Sequence, residues 1–336
     1  MRVLSRGDVE GLLTVEASVE LIESVFLSTG TPAIVQPVRT VLRVPGHTGV
    51  LASMPAFLQD GETGGFGIKA VVVNPANAAL GLETHQGVVI AFEAGGMPSL
   101  VIEAGSLTAI RTAAASAVAT RALAVVRSGR VAVLGTGLQA RLHLRAITSI
   151  IPVEATAVWG RDAEKARELA SWAEQNLGLN VEVCPTVAEA TRDADVISTV
   201  TSAHEPILTA ADVRAGAHIN AVGACLPDVR ELSADLIGRA RIVVDQRDAA
   251  RVEAGDLLLA VPEVGPVLDG MVELGEILRG EIRGRLIDDI TVFESLGFAA
   301  LDVATARHLV GLALTRDVGV EIAFGEPPLT RADRGR

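Results

Sequence analysis

Two hydrophobic patterns follow each other along the chain, and the first predicts an N-terminal region of helix and short strands. Apolar residues at helical spacing predict a helix that ends near Ser28, with Asp8 and Thr14 as candidate N-caps. These apolar positions are Val15, Val19, Ile22 and Phe26. The segments that follow and are predicted as strands are 38–44, 49–54, 66–73, 87–92 and 100–103. Short turns at 45–48 and 95–98 indicate antiparallel pairing.

The pattern changes at the Ala-rich segment 108–126, which predicts a buried helix with Thr108 as its cap. Beyond it, apolar strand segments alternate with helical ones, as in a doubly wound parallel sheet. The predicted strands are 130–134, 155–159, 181–184, 196–200, 217–222 and 242–245. A last helix at 298–315 is expected to pack back on the first region, and 325–336 is predicted to be a loose tail.

These two patterns predict the fold class and the domain organisation. The chain is expected to be an α/β protein with a Rossmann-type doubly wound parallel sheet and an N-terminal α+β domain that the C-terminal helix completes. The N-terminal domain is predicted to comprise residues 1–127 with 299–336, and the Rossmann domain residues 128–298. A length of 336 residues suits two domains.

Charge and composition restrict the possible function classes. The net charge of −12 argues against binding to a nucleic-acid backbone, which requires a basic face. No apolar run approaches the ~20 residues of a bilayer span, and residues 1–10 lack the apolar core of a signal peptide. Cys184 and Cys225 are too few for a disulfide framework, so a reducing compartment, the cytoplasm, is expected. Small-molecule chemistry, without nucleic-acid or membrane partners, is therefore the expected function class.

A glycine-rich loop carries the most specific motif. The apolar strand at 130–134 runs directly into a G-x-G-x-x-A match, and a helical segment follows, which is the context of a dinucleotide-binding loop. The loop residues are Gly135, Thr136, Gly137, Leu138, Gln139 and Ala140. The phosphates are expected on the amides of the helix N-terminus. The alternative is a glycine turn in an unrelated α/β domain.

The end of the next strand bears on the choice of dinucleotide. An NAD-preferring site usually has an acidic residue there, whereas this chain has Trp159, Gly160 and Arg161. Gly160 leaves room, and the guanidinium of Arg161 suits a 2′-phosphate. Asp162 is expected to serve as the N-cap of the next helix. The sequence thus favours NADP(H) over NAD(H), unless Arg161 is only a solvated surface charge.

Three cations of the N-terminal half occupy unusual positions. Lys69 lies in an otherwise apolar strand, Arg39 in the middle of another, and Arg111 at the predicted start of the Ala-rich helix. A buried ammonium without a partner is very unfavourable, and a helix N-terminus favours anions rather than an arginine. A ligand carboxylate held between these cations would explain both features. The alternatives are that Lys69 pairs with a buried acid and that Arg39 lies on an exposed strand face.

At this point the chain resembles the ornithine cyclodeaminase/mu-crystallin family, from about residue 36 to residue 309. Many short stretches match in the same order, which is more specific than any one motif. They are QPVRT at 36–40, MPAF at 54–57, THQG at 84–87, LTAIRTAA at 107–114, the loop at 135–140, GAHINAVGA at 216–224, PDVREL at 227–232, AGD at 254–256 and TVFESLG at 291–297.

The resemblance implies a homodimer, a small carboxylate-bearing imino- or amino-acid substrate, and site residues for it. The N-terminal β domain would form the dimer interface and the substrate floor, opposite the nicotinamide. Arg39, Lys69 and Arg111 would hold the substrate carboxylate and form the catalytic set. The other residues that the resemblance implies are Thr84, Cys225 and Ser295 near the substrate, with Thr199, Val200, Thr201, Val222 and again Ser295 near the cofactor.

Two positions separate the chain from the cyclodeaminase branch of that family. Cys225 and Ala52 stand where that branch has acidic residues, an aspartate near the reacting amine and a glutamate for the distal ammonium. The segment from Trp159 to Arg161 resembles the mu-crystallin branch, whose members look like NADPH-dependent ketimine reductases, although Leu226 replaces an arginine of that branch. A C–N oxidoreductase is therefore the leading hypothesis. A cyclodeaminase-type lyase with recycled NAD and a non-catalytic NADPH- and carboxylate-binding protein are the alternatives.

The remaining polar residues give weaker indications. His85 follows Thr84 and is more often a structural residue than a proton shuttle at such a position. Asp302 in the last helix faces either the cleft or solvent. No spacing of His, Cys and carboxylates predicts a metal site. The chain has no tyrosine, so the proton donor is another side chain or water, with Lys69 as the first candidate.

Overall fold

The computed structural model describes residues 1–59, 64–93, 95–125 and 129–324. Its strands are β1 (Arg2–Leu4), β2 (Ile34–Val35), β3 (Thr40–Arg43), β4 (Val50–Leu58), β5 (Gly65–Val73), β6 (His85–Phe92), β7 (Pro98–Glu103), β8 (Gly129–Leu134), β9 (Val153–Trp159), β10 (Val181–Val183), β11 (Val196–Thr199), β12 (His218–Ala221), β13 (Arg241–Val244), β14 (Val272–Glu273), β15 (Thr291–Glu294) and β16 (Val320–Glu321). Its α-helices are α1 (Arg6–Leu12), α2 (Val15–Ser28), α3 (Ala104–Leu123), α4 (Leu138–Ile150), α5 (Ala163–Leu177), α6 (Val187–Thr191), α7 (Ala234–Arg239), α8 (Arg247–Glu253), α9 (Gly255–Leu258), α10 (Val261–Val264), α11 (Leu274–Leu278) and α12 (Ala299–Arg316). The predicted domain boundary at 127/128 and the predicted tail at 325–336 lie outside the described residues.

The first sheet has the order β16-β1-β7-β6-β5-β4-β2, with β3 paired to β4. Neighbouring strands from β3 to β7 run antiparallel, as the short turns predicted. Residues on β4, β5 and β6 alternate between a face that α12 covers and an outer face. Lys69 lies at the centre of the covered face, paired in register with Met54 and Val89.

The second sheet is parallel throughout and has the order β10-β9-β8-β11-β12-β15-β13-β14. In this sheet β9 is the neighbour of β8 on one side and β11 is its neighbour on the other, so the strand order reverses at β8. The crevice outside the carboxyl ends of β8 and β11 is therefore the switch point where such sheets bind ligands. The predicted Rossmann-type α/β class is confirmed.

The candidate cap Thr14 is confirmed, whereas several other local predictions are wrong. The Thr14 hydroxyl accepts from the amide of Ala17 to begin α2, which ends at Ser28 as predicted, but a separate helix α1 precedes it because Leu13 and Thr14 are extended. Asp8 is not a cap but the third residue of α1, where its carboxylate accepts from the amide of Ser5. The strand β15, in the middle of the second sheet, was not among the predicted strands, because a four-residue run has too little periodicity of its own.

Two of the three unusual cations are placed differently from the prediction. Arg39 precedes β3 instead of lying inside a strand. The Ala-rich helix α3 begins one turn earlier than expected, because the carboxylate of Glu103 caps the amides of Gly105 and Ser106. Thr108 is therefore not the cap, and Arg111 lies inside the helix instead of opening it.

Helix α3 joins the two sheets through buried polar contacts. The Nδ1 atom of His143 lies 2.8 Å from the carbonyl oxygen of Gln139, and its Nε2 atom lies 2.9 Å from the Ser116 hydroxyl. Burial lowers the pKa of His143 to about 4, so the ring is neutral. Because a carbonyl only accepts, Nδ1 carries the hydrogen and Ser116 donates to Nε2. The helix bearing Arg111 is thus fixed to the helix that follows the glycine-rich loop.

No helix within the described parts of the chain is both long and apolar enough to cross a membrane.

Candidate active site

The glycine-rich loop connects β8 to α4 and has the geometry of a phosphate site. Gly135 has φ +128°, and a Cβ there would lie 2.6 Å from the carbonyl oxygen of Val200. Gly137 is the N-cap of α4 and, as a glycine, has no side chain that could accept from the amides of the first turn. A Cβ added to Gly137 would meet no atom within 4 Å. The first-turn amides thus have no side-chain cap, and the backbone is open to a diphosphate.

The other loop residues differ in their exposure to solvent. Ala140 is buried, Thr136 and Gln139 are half-buried, and Leu138 is exposed. The side-chain oxygen of Gln139 is buried without a hydrogen-bond partner. Such an oxygen needs a donor from outside the described contacts, which fits a ligand at this loop.

The residues after β9 fit the predicted dinucleotide site. Gly160 packs directly on the methyl group of Thr136, where a Cβ would clash. Trp159 is half-buried, and Arg161 is exposed with its side chain in no ion pair of the described residues. Asp162 accepts from the amides of Glu164 and Lys165, as predicted for an N-cap. This carboxylate is thus engaged in capping α5.

The ends of β11 and β12 are tied together by a buried glutamate. Glu231 accepts from the amide of Thr201 at 2.7 Å, from its hydroxyl at 2.6 Å and from the amide of Gly223 at 2.8 Å. Val222 donates its amide to the carbonyl of Thr199. The predicted cofactor residues of this region, including Val200, therefore lie together at the carboxyl edge of the sheet. Sequence analysis did not single out Glu231, although it belongs to the family-like stretch 227–232.

Lys69 and Arg111 converge on Asp302 of the last helix. The Oδ1 atom of Asp302 lies 3.3 Å from Nζ of Lys69 and 3.0 Å from Nε of Arg111. All three residues are buried, and Asp302 is fully inaccessible. Lys69 is thus paired with a buried acid, which was the alternative to a ligand. The pairing leaves two hydrogens on Nζ, both terminal nitrogens of Arg111 and the second oxygen of Asp302 without a partner in the described residues.

Arg39 reaches the same place from the other side. Its Nη2 atom donates to the carbonyl oxygens of Leu296 at 2.9 Å and Gly297 at 2.8 Å, and its Nε atom pairs with Glu253 at 2.9 Å. Gly297 has φ +73°, and a Cβ there would contact the guanidinium of Arg111. Arg39 and Arg111 therefore both lie against the loop that follows β15, and Arg39 is not on an exposed strand face.

The loop after β15 is also held by the Rossmann sheet. Asp245, the first residue beyond β13, accepts the amide of Gly297 at 2.5 Å. Ser295 is buried, and its amide donates to the carbonyl of Ala221. The cation cluster and the dinucleotide loop thus lie at the same edge of the sheet.

Burial and mutual repulsion shape the electrostatics of the cluster. The pKa of Lys69 is lowered to about 8, first by burial and then by Arg111 and Arg39, against the attraction of Asp302. Burial raises the pKa of Asp245 to about 6. Burial acts in the same direction on Asp302, but Arg111 and Lys69 hold its pKa below the usual value. The ammonium of Lys69 is therefore a more acidic proton donor than a free lysine.

The remaining predicted residues lie around this cluster. The Thr84 hydroxyl is 3.0 Å from Nδ1 of His85, whose pKa is lowered by burial and by the charge of Lys69. Cys225 is half-buried in the loop after β12 and free of any disulfide. In the described part of the chain no group of three or more His, Cys, Asp or Glu side chains could hold a metal ion.

These features define the class of the protein. A dinucleotide-binding loop and a buried cation cluster at one edge of a parallel sheet are typical of an NAD(P)-dependent enzyme that acts on a small anion.

The chain belongs to the ornithine cyclodeaminase/mu-crystallin family, which matches residues 1–315. Ketimine reductase mu-crystallin of Mus musculus is 38% identical over 277 residues, covering 82% of this chain and 84% of that protein. The structure of Thermococcus litoralis Delta(1)-pyrroline-2-carboxylate reductase with NADH and L-proline superposes with a TM-score of 0.92 at 31% identity, covering 96% of this chain and 100% of that one. An archaeal alanine dehydrogenase dimer with bound NAD gives a TM-score of 0.90 at 30% identity, with 97% and 99% covered. The predicted family is confirmed.

Proposed function

We propose that this protein is an NAD(P)H-dependent reductase of small imino acids, and in the reverse direction an amino-acid dehydrogenase. The observation that carries the proposal is the convergence of Arg39, Lys69 and Arg111 beside the dinucleotide-binding edge. The ketimine and pyrroline-2-carboxylate reductases among its relatives support the same reaction type. Imine, reduced nicotinamide and one proton give the amine and the oxidised cofactor.

The chain's own residues would position the substrate and supply the proton. The terminal nitrogens of Arg111 offer two parallel donors to a carboxylate, and Nζ of Lys69 offers further ones. Arg39 adds charge from the opposite side while it holds the loop 296–297. Lys69 would also deliver a proton to the imine nitrogen, directly or through water, since its lowered pKa eases that transfer. Ser295, Thr84 and Cys225 would line the remaining space around the substrate.

A reduced nicotinamide dinucleotide supplies the hydride when it is bound. The loop 135–140 fits its diphosphate, since Gly137 is open and the amides at the start of α4 have no side-chain cap. Trp159, Gly160 and Arg161 would surround the adenosine end, and Thr199 to Thr201 with Val222 would contact the inner half. We propose a preference for NADP(H), because Asp162 is engaged in capping and Arg161 has a free guanidinium.

We also propose a homodimer formed by the outer face of the first sheet. That face is apolar although it is exposed in the single chain. It includes Leu51, Phe66, Val72 and Val88, and the tilted rings of Phe57 and Phe66 are in contact, with 4.8 Å between centroids. A dimer would cover this face and leave the cation cluster, on the opposite face, to the substrate. In this arrangement residues 1–127 with 299–336 act as the substrate-binding and dimerisation domain, residues 128–298 bind the dinucleotide, and the cytoplasm is the expected compartment.

One assay tests the proposed function against its two alternatives. The purified protein is incubated with NADPH or NADH and Δ1-pyrroline-2-carboxylate, and separately with ornithine. The reductase predicts loss of the 340 nm absorbance with the imine and formation of proline. Ammonia release from ornithine without net cofactor change would instead show a cyclodeaminase, and binding of both ligands without turnover would show a carrier.

A further inference from the structure

The cations of the site are already matched by acidic side chains of the same chain. Glu253 pairs with Arg39 at 2.9 Å, and Asp302 lies between Lys69 and Arg111. Three positive charges thus contact two carboxylates. Among the groups in direct contact, one positive charge therefore remains for a carboxylate of a ligand, and no further cation of this cluster remains for a second one.

These internal acids are built into the fold and are not free to leave. Asp302 is fully buried on α12, and its Oδ1 atom is shared by two cations. Glu253 is the last residue of α8 and is buried against Arg39. A ligand carboxylate therefore joins these ion pairs through the unused hydrogens of Lys69 and Arg111. It does not replace Asp302.

Further acids lie beyond the cluster, on the Rossmann side. Asp245 accepts the amide of Gly297, and it lies near enough to Arg39 and Arg111 for both to lower its pKa against burial, although it forms an ion pair with neither. Glu294, at the end of β15, lies close enough to Asp245, Asp256 and Glu231 for each to raise its pKa. Glu294 and Asp256 each have a buried oxygen without a hydrogen-bond partner. These three neighbours of Glu294 are carboxyl groups, so they provide no cation for a second ligand carboxylate.

From this arrangement we propose that the site selects imino acids with one carboxylate and rejects those with a second one. The inference rests on the proposed reductase function and narrows its substrate class. A second carboxylate would leave one negative charge without a counter-charge, and the nearby carboxylate of Asp245 would disfavour it further. A neutral ring or a chain with no charge fits both constraints.

Three stable ligands of one shape test this proposal on the wild-type protein loaded with NADP⁺. They are pyrrole-2-carboxylate, pyrrole-2,5-dicarboxylate and 5-carbamoylpyrrole-2-carboxylate, which has the size of the diacid without its second charge. Isothermal titration calorimetry is expected to show that the diacid binds at least ~30-fold more weakly than the amide. Equal affinities for the diacid and the amide would overturn the proposal.

Turnover gives a second, independent measurement. With methylamine present, the imines of 2-oxopentanoate and 2-oxoglutarate differ only in a terminal methyl or carboxylate group. We expect kcat/KM for the first to exceed that for the second by about 30-fold or more. If pyrrole-2-carboxylate binds but neither these imines nor Δ1-pyrroline-2-carboxylate is reduced, the reductase proposal fails and the charge selection is judged on binding alone. If both imines are reduced equally well, the charge selection fails and the reductase stands.

A variant shifts the charge balance in a defined direction. Glu253→Gln removes one internal carboxylate. It is expected to reduce the ratio of the affinities for the amide and the diacid by about 10-fold. The matched control is Glu263→Gln, which removes an acid paired with Arg230 at 3.2 Å outside the cluster and leaves the difference unchanged. An unchanged difference in Glu253→Gln, with wild-type melting temperature and NADPH affinity, would contradict the charge account.

Discussion

The Nε atom of Arg111 lies 3.0 Å from Oδ1 of Asp302, although 191 residues separate them in the chain. The contact joins α3, which packs on the Rossmann sheet, to α12, which covers the first sheet. Because Lys69 shares the same oxygen, this one carboxylate orients two of the three cations. The arrangement is set before any ligand binds, so little reorganisation is needed when a carboxylate enters.

The cations are expected to dominate substrate recognition. Arg111→Ala and Lys69→Ala should each lower kcat/KM for Δ1-pyrroline-2-carboxylate by on the order of 10²–10³-fold, since each removes charge-assisted hydrogen bonds from a buried site. Steady-state kinetics measure this loss, and fluorescence titration should show an NADPH affinity close to wild type. Arg121→Ala is the matched control, because Arg121 lies on the same helix in exposed pairs with Glu20 and Glu23. Retained activity in both cluster variants would remove the carboxylate-binding assignment.

Gly297 is expected to be required for the shape of the cluster. Gly297→Ala adds a Cβ that contacts the Arg111 guanidinium and places a non-glycine residue at φ +73°. The backbone conformation alone costs about 1–2 kcal/mol, and the displaced guanidinium should lower kcat/KM further. Gly280→Ala controls for the backbone cost, because Gly280 also has φ +73° but open space around it. Equal activity in the two variants would argue against the steric role.

The pH dependence of the reaction should follow Lys69. Its pKa is lowered to about 8, so the ammonium is lost as the pH rises through that value. Both carboxylate binding and proton delivery need the charged form, and kcat/KM should therefore fall above about pH 8. The contribution of Lys69 to the free energy of unfolding changes with pH in the opposite direction. Between about pH 8 and 10.5 the unfolded chain binds more protons at this lysine, so this group adds stability as the pH rises.

Two measurements check this assignment to Lys69. The pH profile of kcat/KM with the cyclic imine gives the apparent pKa of the free enzyme. In Lys69→Arg the guanidinium stays charged, so the fall near pH 8 should disappear even if the rate is lower throughout. A profile that keeps the same fall in Lys69→Arg would assign it to another group.

Arg161 should decide between the two dinucleotides. Arg161→Ala is expected to raise KM for NADPH by about 10-fold and to leave KM for NADH nearly unchanged, because a charge-assisted contact to a phosphate is worth about 1.5–3 kcal/mol. Lys165→Ala is the control, since Lys165 is an exposed cation in the first turn of α5. Parallel changes in both KM values would show that Arg161 does not contact a 2′-phosphate.

The apolar outer face of the first sheet should control the oligomeric state. Phe66→Glu places a charge on that face and is expected to convert a dimer to monomers at micromolar concentration, measured by sedimentation velocity. Ile287→Glu changes another exposed apolar residue, which lies between α11 and β15, and should leave the dimer intact. A monomeric wild-type protein would contradict the proposal directly.

Much of the fold could be predicted because its periodicities are local. The alternating strands of the first sheet, the strand–helix alternation of the second and the loop 135–140 each depend on residues close in sequence. The wrong predictions include elements that form only through contacts between residues distant in the chain. Segment 291–294 is a strand because it pairs with β12 and β13 on both sides. The start of helix α3 is a different case, because its cap Glu103 is close in sequence.

The sequence by itself determined the fold class, the dinucleotide loop and the identity of the three cations, because glycine spacing and charges in apolar runs are visible without coordinates. Only the tertiary structure decided that these cations meet, that Asp302 and Glu253 pair with them, and that Asp245 lies nearby. Asp245 follows β13, and the other two acids lie on α8 and α12, far along the chain. Which charges neutralise one another depends on distances of a few ångströms, and helix packing between the two sheets sets those distances.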